Sequence, residues 1–406
     1  MSHNKSKSII QYLQSYSYGI DTAFFDVLCK SILSWEYVII IPVCDESAAS
    51  IRTVVANVKS SSCLIIVCVN RPEKHTKSLE WQQQNQQLIA DLTQSASRVI
   101  ESNQKHQLLL GLFGVDCLLL DFNQQPFEDK KGVGLARKIA ADTALELIDK
   151  GWVNKPWIFS TDADVALPVE YCSVVSDLND RISALSLRFE HCGSDKRAIY
   201  HQSQYDFKLK YYQQGVTVIN PKYAYIPLGS TLVINAQAYA KVRGFPSRSG
   251  GEDFYILNKL AKVGTVLQPD QPIVGIEIRY SDRVPFGTGP AISQLSQSQQ
   301  QPKYYHPKIF IILKEWRVIL LQFIENRQLP GHDYGLNQHW QIEAVLNKAL
   351  KQFKNNKQWR KFIDDWFDAF KILKSVHFLS EQFLPIEYDI LFGMNAYQQL
   401  IDLTKN

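Results

Sequence analysis

The sequence predicts an α/β fold: a mixed, mainly parallel sheet flanked by helices, with an N-terminal helical extension and a helical C-terminal region. Three observations carry that expectation. Apolar runs bounded by turn residues recur between Tyr37 and Thr161 with helical segments between them, and strands interleaved with helices form parallel, helix-covered sheets. One run, Trp157-Ile158-Phe159-Ser160-Thr161, ends on Asp162-Ala163-Asp164, at the kind of strand end where open α/β sheets place their ligands. Beyond Pro307 only helical spacing remains, as in Trp316, Ile319, Leu320, Phe323 and Trp359, Phe362, Trp366.

A chain of 406 residues that is 45% hydrophobic and 12% aromatic can bury a large core, and it exceeds the usual size of one domain. Its 44 basic and 40 acidic residues give a net charge of +4, too small and dispersed for a nucleic-acid partner. The seven cysteines are odd in number, lie mostly in apolar runs and never form CxxC. That usage suits reduced, buried thiols and a cytoplasmic protein without a thiolate zinc site. The first residues lack the apolar core of a signal peptide, and no apolar run approaches the ~20 residues of a membrane span, which leaves only peripheral membrane contact open.

In chain order, 1–35 reads as the helical extension, 36–290 as the α/β domain, 291–306 as a polar linker and 307–406 as the helical region. Tyr37 to Ile41 and Leu64 to Val69 are strands, and Ala48 to Val58 is a helix between them. Trp81 to Leu110, Gln-rich but carrying Leu88, Leu92, Val99 and Leu108, reads as helix with a looped part. Leu118 to Leu120 ends on Asp121, Leu135 to Ile148 is helical, and the Trp157 strand follows. Ala184 to Phe189, Thr231 to Ile234 and Ile273 to Tyr280 are further strands, with a helix over Glu252 to Val263 before the last.

Two carboxylates one residue apart repel unless positive charge intervenes, and their oxygens suit hard cations such as Mg2+ or Mn2+. The simplest ligand for Asp162 and Asp164 is a metal-bound diphosphate. Four further stretches could join them. Ile39-Ile40-Ile41-Pro42-Val43-Cys44-Asp45-Glu46 leads a strand into an acidic turn that could hold a base or ribose; an ordinary helix cap explains the same residues. Lys131-Gly132-Val133-Gly134-Leu135-Ala136-Arg137-Lys138 places glycines and cations at a helix start, suited to an anion or to a plain loop-to-helix junction. Gly250-Gly251-Glu252-Asp253 offers either dipole-favoured capping or a general base. Arg279 to Pro290, with Arg283 and two glycines, suits a phosphate-binding lid or a solvated loop.

Together these residues resemble the nucleotide-sugar glycosyltransferases of the GT-A fold, most closely the inverting family 2, over roughly 37–290. Ile41-Pro42-Val43-Cys44-Asp45-Glu46 resembles the family's "IPVYNE", Gly134-Leu135-Ala136-Arg137-Lys138 its "GxxxARN", Asp162-Ala163-Asp164 its DxD, and Gly251-Glu252-Asp253 its "ED" element. The resemblance implies a hexosyltransferase-type enzyme, with a nucleotide-diphosphate sugar as donor, Mn2+ or Mg2+ as cofactor, and a glycan, lipid-linked or small-molecule hydroxyl as acceptor. It places Pro42 and Asp45 or Glu46 at the nucleotide, Arg137 near the donor, Asp162 on ribose or sugar, and Asp164 on the metal with Asp162 beside it. It makes Asp253 the general base and Glu252 its neighbour.

The chain departs from the family after the second strand, where Val69-Asn70-Arg71-Pro72-Glu73 replaces a "DDGS" segment. Asn70, or Asp121 on the next strand, becomes the substitute base-binding residue, and Arg283 a cation for the leaving diphosphate. Two other activities use similar acidic sheets. A sugar nucleotidyltransferase needs a Gly-rich basic loop after the first strand, whereas Pro42 to Ser47 holds neither glycine nor cation. A non-catalytic sugar-nucleotide-binding or scaffold protein would keep the fold without using Asp253.

Overall fold

Runs rich in Val, Ile and Leu make the centre of the sheet because β-branched side chains fit a pleated surface buried on both faces. The structure, a computed structural model, describes residues 6–19, 33–58, 62–103, 106–280, 288–297 and 302–405. The chain divides into two units, Met1–Ile199 with Pro227–Ser293, and Tyr200–Ile226 with Gln294–Asn406.

The elements begin with α1 (Lys7–Ser15), β1 (Tyr37–Val43), α2 (Ala48–Val55), β2 (Cys63–Val69) and α3 (Ser78–Ser95). Three strands follow, β3 (Arg98–Asn103), β4 (His106–Leu112) and β5 (Val115–Asp121), then α4 (Gly132–Asp149), β6 (Trp157–Ser160) and the short β7 (Val165–Ala166). Next come β8 (Ile182–Ser186), β9 (Arg188–Cys192), α5 (Lys196–Ile219), β10 (Leu232–Asn235) and α6 (Ala236–Lys241). The first unit closes with α7 (Glu252–Val263), β11 (Thr265–Leu267), β12 (Ile273–Glu277) and the start of α8 (Thr288–Gln297).

The main sheet has the order β11-β8-β10-β6-β1-β2-β5-β4-β3. Its centre, β6-β1-β2-β5, is parallel, and β10, β4 and β3 add antiparallel pairings. This is the expected α/β architecture, mixed and mainly parallel at its core. Ile39–Ile41 and Ile65–Val69 are fully buried, and α4 lies against β1 and β2 with Ala140 and Ala144 in its buried face.

Register sets which residues meet. Ile40 pairs with Ser160 and Val43 with Val69, so the carboxyl ends of β6, β1 and β2 lie side by side. Antiparallel β10 pairs Leu232 with Ser160, which brings the preceding residues Leu228–Ser230 to the same edge. A second sheet, β7-β12-β9, pairs Ile276 with Val165. The Glu277 amide donates to the Asp164 carbonyl at 2.8 Å, returning the chain after β12 to the acidic pair.

The region read as helix to Leu110 turns out differently. Helix α3 ends at Ser95, and β3 and β4 form a hairpin. Between β4 and β5, Phe113 and Gly114 take φ of 53° and 92°, the left-handed pair of a tight hairpin turn, and Leu108, Leu109 and Leu112 bury as strand. At the N-terminus α1 is anchored by Asp142, which accepts from Tyr12 (2.6 Å), Tyr239 (2.7 Å), the Tyr18 amide (2.7 Å) and Lys138 (2.9 Å). Residues 20–32 of the stretch read as a helical extension lie outside the described residues. Residues 291–297 of the stretch read as a polar linker belong to the helix α8, Thr288–Gln297.

The second unit adds β13 (Lys303–Tyr304), α9 (Pro307–Asn326), α10 (Leu336–His339), α11 (Ile342–Leu350), α12 (Asn356–Trp366), α13 (Ala369–Leu379), β14 (Ile386–Glu387), α14 (Tyr388–Gly393) and α15 (Asn395–Lys405). Its aromatic stripes are packed: Trp316 and Trp359 are buried, Trp316 lies 5.2 Å from Phe367, and the Trp359 indole donates to Leu320 O. Gly215 in α5 has a structural reason, because a Cβ there would meet the Phe310 ring at 2.2 Å. No helix among the described residues is long and apolar enough to cross a membrane.

Candidate active site

Arg137 is the hub of the cleft at the carboxyl edge. It sits on α4 one turn after the chain leaves the glycine-containing start, and it is 2% exposed. Nε donates to Glu252 Oε1 at 3.0 Å, Nη1 to Ser160 Oγ at 2.7 Å and Gly229 O at 3.1 Å, and Nη2 to Asp162 Oδ1 at 2.8 Å. Four of the five N–H groups that a guanidinium carries are therefore spent on protein. A buried arginine is tolerable because two carboxylates meet it, and removing either would leave charge uncompensated. A Cβ on Gly229 would lie 2.4 Å from Nη2, so glycine is required there.

Asp164 has its own arginine. Arg279, two residues after β12, places Nη2 2.7 Å from Asp164 Oδ2 and 2.6 Å from Glu46 Oε1. The repulsion inherent in Asp162-Ala163-Asp164 is thus relieved by one guanidinium per carboxylate.

Glu252 and Asp253 open α7, whose cap Gly251 takes a left-handed φ of 73°. A helix N-terminus favours ionised carboxylates, and the Phe254 amide donates to Asp253 Oδ1 at 2.7 Å. Burial and the neighbouring Glu252 nevertheless win, pushing Asp253 up to about 7. Glu252 keeps its own Oε1 on Arg137 Nε at 3.0 Å.

These groups line one cleft of about 290 Å³. Of the residues singled out from sequence, Pro42, Glu46, Asn70, Arg137, Asp162, Asp164, Glu252 and Asp253 line it. Asp45 and Asp121 are not among its lining. Asp45 takes φ of 59° and gives its amide to Asn85 Oδ1 at 3.0 Å, so it forms the turn and leaves Glu46 facing the cleft. Asp121 accepts from the Asn123 amide at 2.7 Å, an Asx turn that ends its strand. Arg283 lies outside the described residues. Asn70 uses its amide on Val43 O at 3.0 Å, tying the ends of β1 and β2 together.

The glycines before Arg137 serve packing. A Cβ on Gly134 would lie 2.6 Å from backbone atoms of Pro246 and Arg248, and the Gly134 amide donates to Arg248 O at 2.9 Å. Lys131 pairs with Glu128, and Lys138 joins Asp142. Sequence reasoning passed over Ser160 and Gly229, and within the Arg279 to Pro290 stretch it singled out Arg283 instead of Arg279. Arg279 stood at the head of the arginine-containing loop and was findable; nothing in the local sequence marks Gly229.

For a divalent cation the donor chemistry fits in part. The cleft lining carries seven carboxylates (Glu46, Asp129, Asp162, Asp164, Glu252, Asp253, Glu277) and two guanidiniums, a surplus that suits a cation accompanying an anionic ligand. No group of three His, Cys, Asp or Glu among the described residues is arranged to hold a metal; Asp162 and Asp164 supply two carboxylates, each in contact with an arginine.

No protein-family model matches the chain, and no curated protein matches it. Among solved structures, the crystal structure of glucosyl-3-phosphoglycerate synthase from Mycobacterium tuberculosis in complex with Mn2+ and uridine-diphosphate-glucose is similar at 9% identity with a TM-score of 0.32, over 71% of this chain and 89% of that one. A likeness of that size carries no argument about activity.

Proposed function

We propose that the chain is a glycosyltransferase of GT-A type, moving a sugar from a nucleotide-diphosphate sugar to a hydroxyl acceptor with inversion at the anomeric carbon. The observation that supports this most is the Arg137 hub, which joins Asp162 of the acidic pair to Glu252 of the Gly-Glu-Asp element, so that the two acidic elements share one cleft.

In this reading Asp253 is the general base, its carboxyl raised to about 7 and so suited to taking a hydroxyl proton near neutrality. The acceptor oxygen bonds to the anomeric carbon as its proton passes to Asp253. The bond from that carbon to the diphosphate oxygen breaks, and its electron pair leaves with the nucleoside diphosphate. Pro42, Glu46, Asn70 and Asp162 hold the nucleotide and sugar. Asp164 with Asp162 would hold Mn2+ or Mg2+, which when bound neutralises the diphosphate. Arg137 positions Asp162 and Glu252.

The test is a thermal-shift screen of UDP-, GDP-, CDP- and TDP-sugars with Mn2+, in which one donor stabilises by mass action. Stabilisation by none refutes donor binding. Asp164→Asn should keep the fold and lose metal-dependent turnover, and full turnover in that variant refutes the metal assignment.

A further inference from the structure

Arg279 holds together two acids that are far apart in sequence. Glu46 lies in the turn after β1 and Asp164 after β6, and one nitrogen, Nη2, serves both at 2.6 Å and 2.7 Å. Only 5% of the Glu46 side chain and 18% of the Asp164 side chain are exposed, so these charge-assisted contacts are sheltered from solvent screening. Arg137 has no comparable freedom, since four of its donors are fixed in the protein. Arg279 is 28% exposed and belongs to the chain just past the end of β12, with Glu46 as a second anchor.

A metal ion at Asp164 would approach the carboxylate that Arg279 already occupies, and two cations sharing one carboxylate repel. We propose that Arg279 is the resident counter-cation of Asp164, and that the Arg279 guanidinium and a divalent cation compete for that carboxylate. On metal entry Arg279 leaves Asp164 but stays in the cleft on Glu46, within reach of an incoming diphosphate. This inference rests on Asp164 as the metal ligand of the proposed transferase.

The experiment measures Mn2+ alone, with no donor, binding to the full chain by electron paramagnetic resonance and calorimetry. Arg279→Gln should bind Mn2+ about tenfold more tightly than the unsubstituted protein, because the competing charge-assisted contact is gone. Arg279→Lys, which keeps a charge but loses the fork, should fall between the two, and it carries the test if Arg279→Gln fails to fold. Asp164→Asn should abolish the binding. Equal or weaker Mn2+ affinity in the Arg279 variants, with Asp164→Asn still abolishing it, overturns the competition and leaves the metal assignment standing. Binding that ignores Asp164→Asn, or that is absent throughout, overturns both the competition and the metal assignment, while the same thermal-shift screen of nucleotide sugars repeated without Mn2+ reports separately on donor binding.

Discussion

Asp253→Asn tests the electrostatics of the cleft without any knowledge of the substrate. The substitution keeps the shape and removes one of two adjacent acids. In the folded chain the Asp253 carboxyl is raised from 3.8 to about 7, first by burial and then by the Glu252 charge. A raised acid pKa means that folding favours the protonated form, so its stabilising contribution is whole below pH 3.8 and is lost progressively as pH climbs to about 7. The shift is roughly three units at ~1.4 kcal/mol each, which sets an upper bound of ~4 kcal/mol. Asp253 is only half-buried, and solvent screening reduces the expected effect to ~1–2 kcal/mol. Asn carries no charge at any pH. The variant should therefore match the unsubstituted protein near pH 3.5, gain on it between pH 4 and 7, and hold a constant advantage of ~1–2 kcal/mol above. Urea unfolding followed by tryptophan fluorescence across pH 3.5 to 9 measures this. A stability difference that is flat, or that favours Asp253 as pH rises, would refute the argument. Under the proposed transferase reading, turnover by the unsubstituted chain should show an acidic limb in kcat/KM near pH 7, absent from the residual activity of the variant.

Gly229→Ala should displace the Arg137 guanidinium, because the new Cβ would sit 2.4 Å from Nη2 and 2.7 Å from Cζ; we expect a loss of ~2–4 kcal/mol together with loss of donor binding, measured by unfolding midpoint and calorimetry. Gly134→Ala separates helix propensity from packing: alanine in a helix normally gains ~1 kcal/mol over glycine, yet backbone atoms of Pro246 and Arg248 at 2.6 Å turn the sign. A destabilisation of ~2 kcal/mol is expected, and a raised melting temperature would show that the contact gives way.

The order of strands and helices from Tyr37 to Val263 was legible because apolar periodicity is a local property of the chain. Tyr37–Val43, Cys63–Val69 and Trp157–Ser160 form strands where the runs lie. Strand β4 was less so, since Leu108 to Leu112 is apolar enough for either element, and the left-handed turn at Phe113-Gly114, which folds β4 back onto β5, decides it. The excursion of Tyr200–Ile226 into the second unit carries no change of composition at its ends.

The same division runs through the site. From sequence alone came the acidic strand end at Asp162 and Asp164, the acids at Glu252 and Asp253, and Arg137 as a cation at a helix start, because each is a residue type at a readable position. Tertiary structure alone decided which charge meets which: Arg137 with Asp162 and Glu252, Arg279 with Asp164 and Glu46. It also turned Asp45 and Asp121 into turn residues and gave Gly229 its necessity. Those outcomes depend on strand register and on the close approach of segments about a hundred residues apart, such as Arg137 and Gly229. Local spacing carries no record of either.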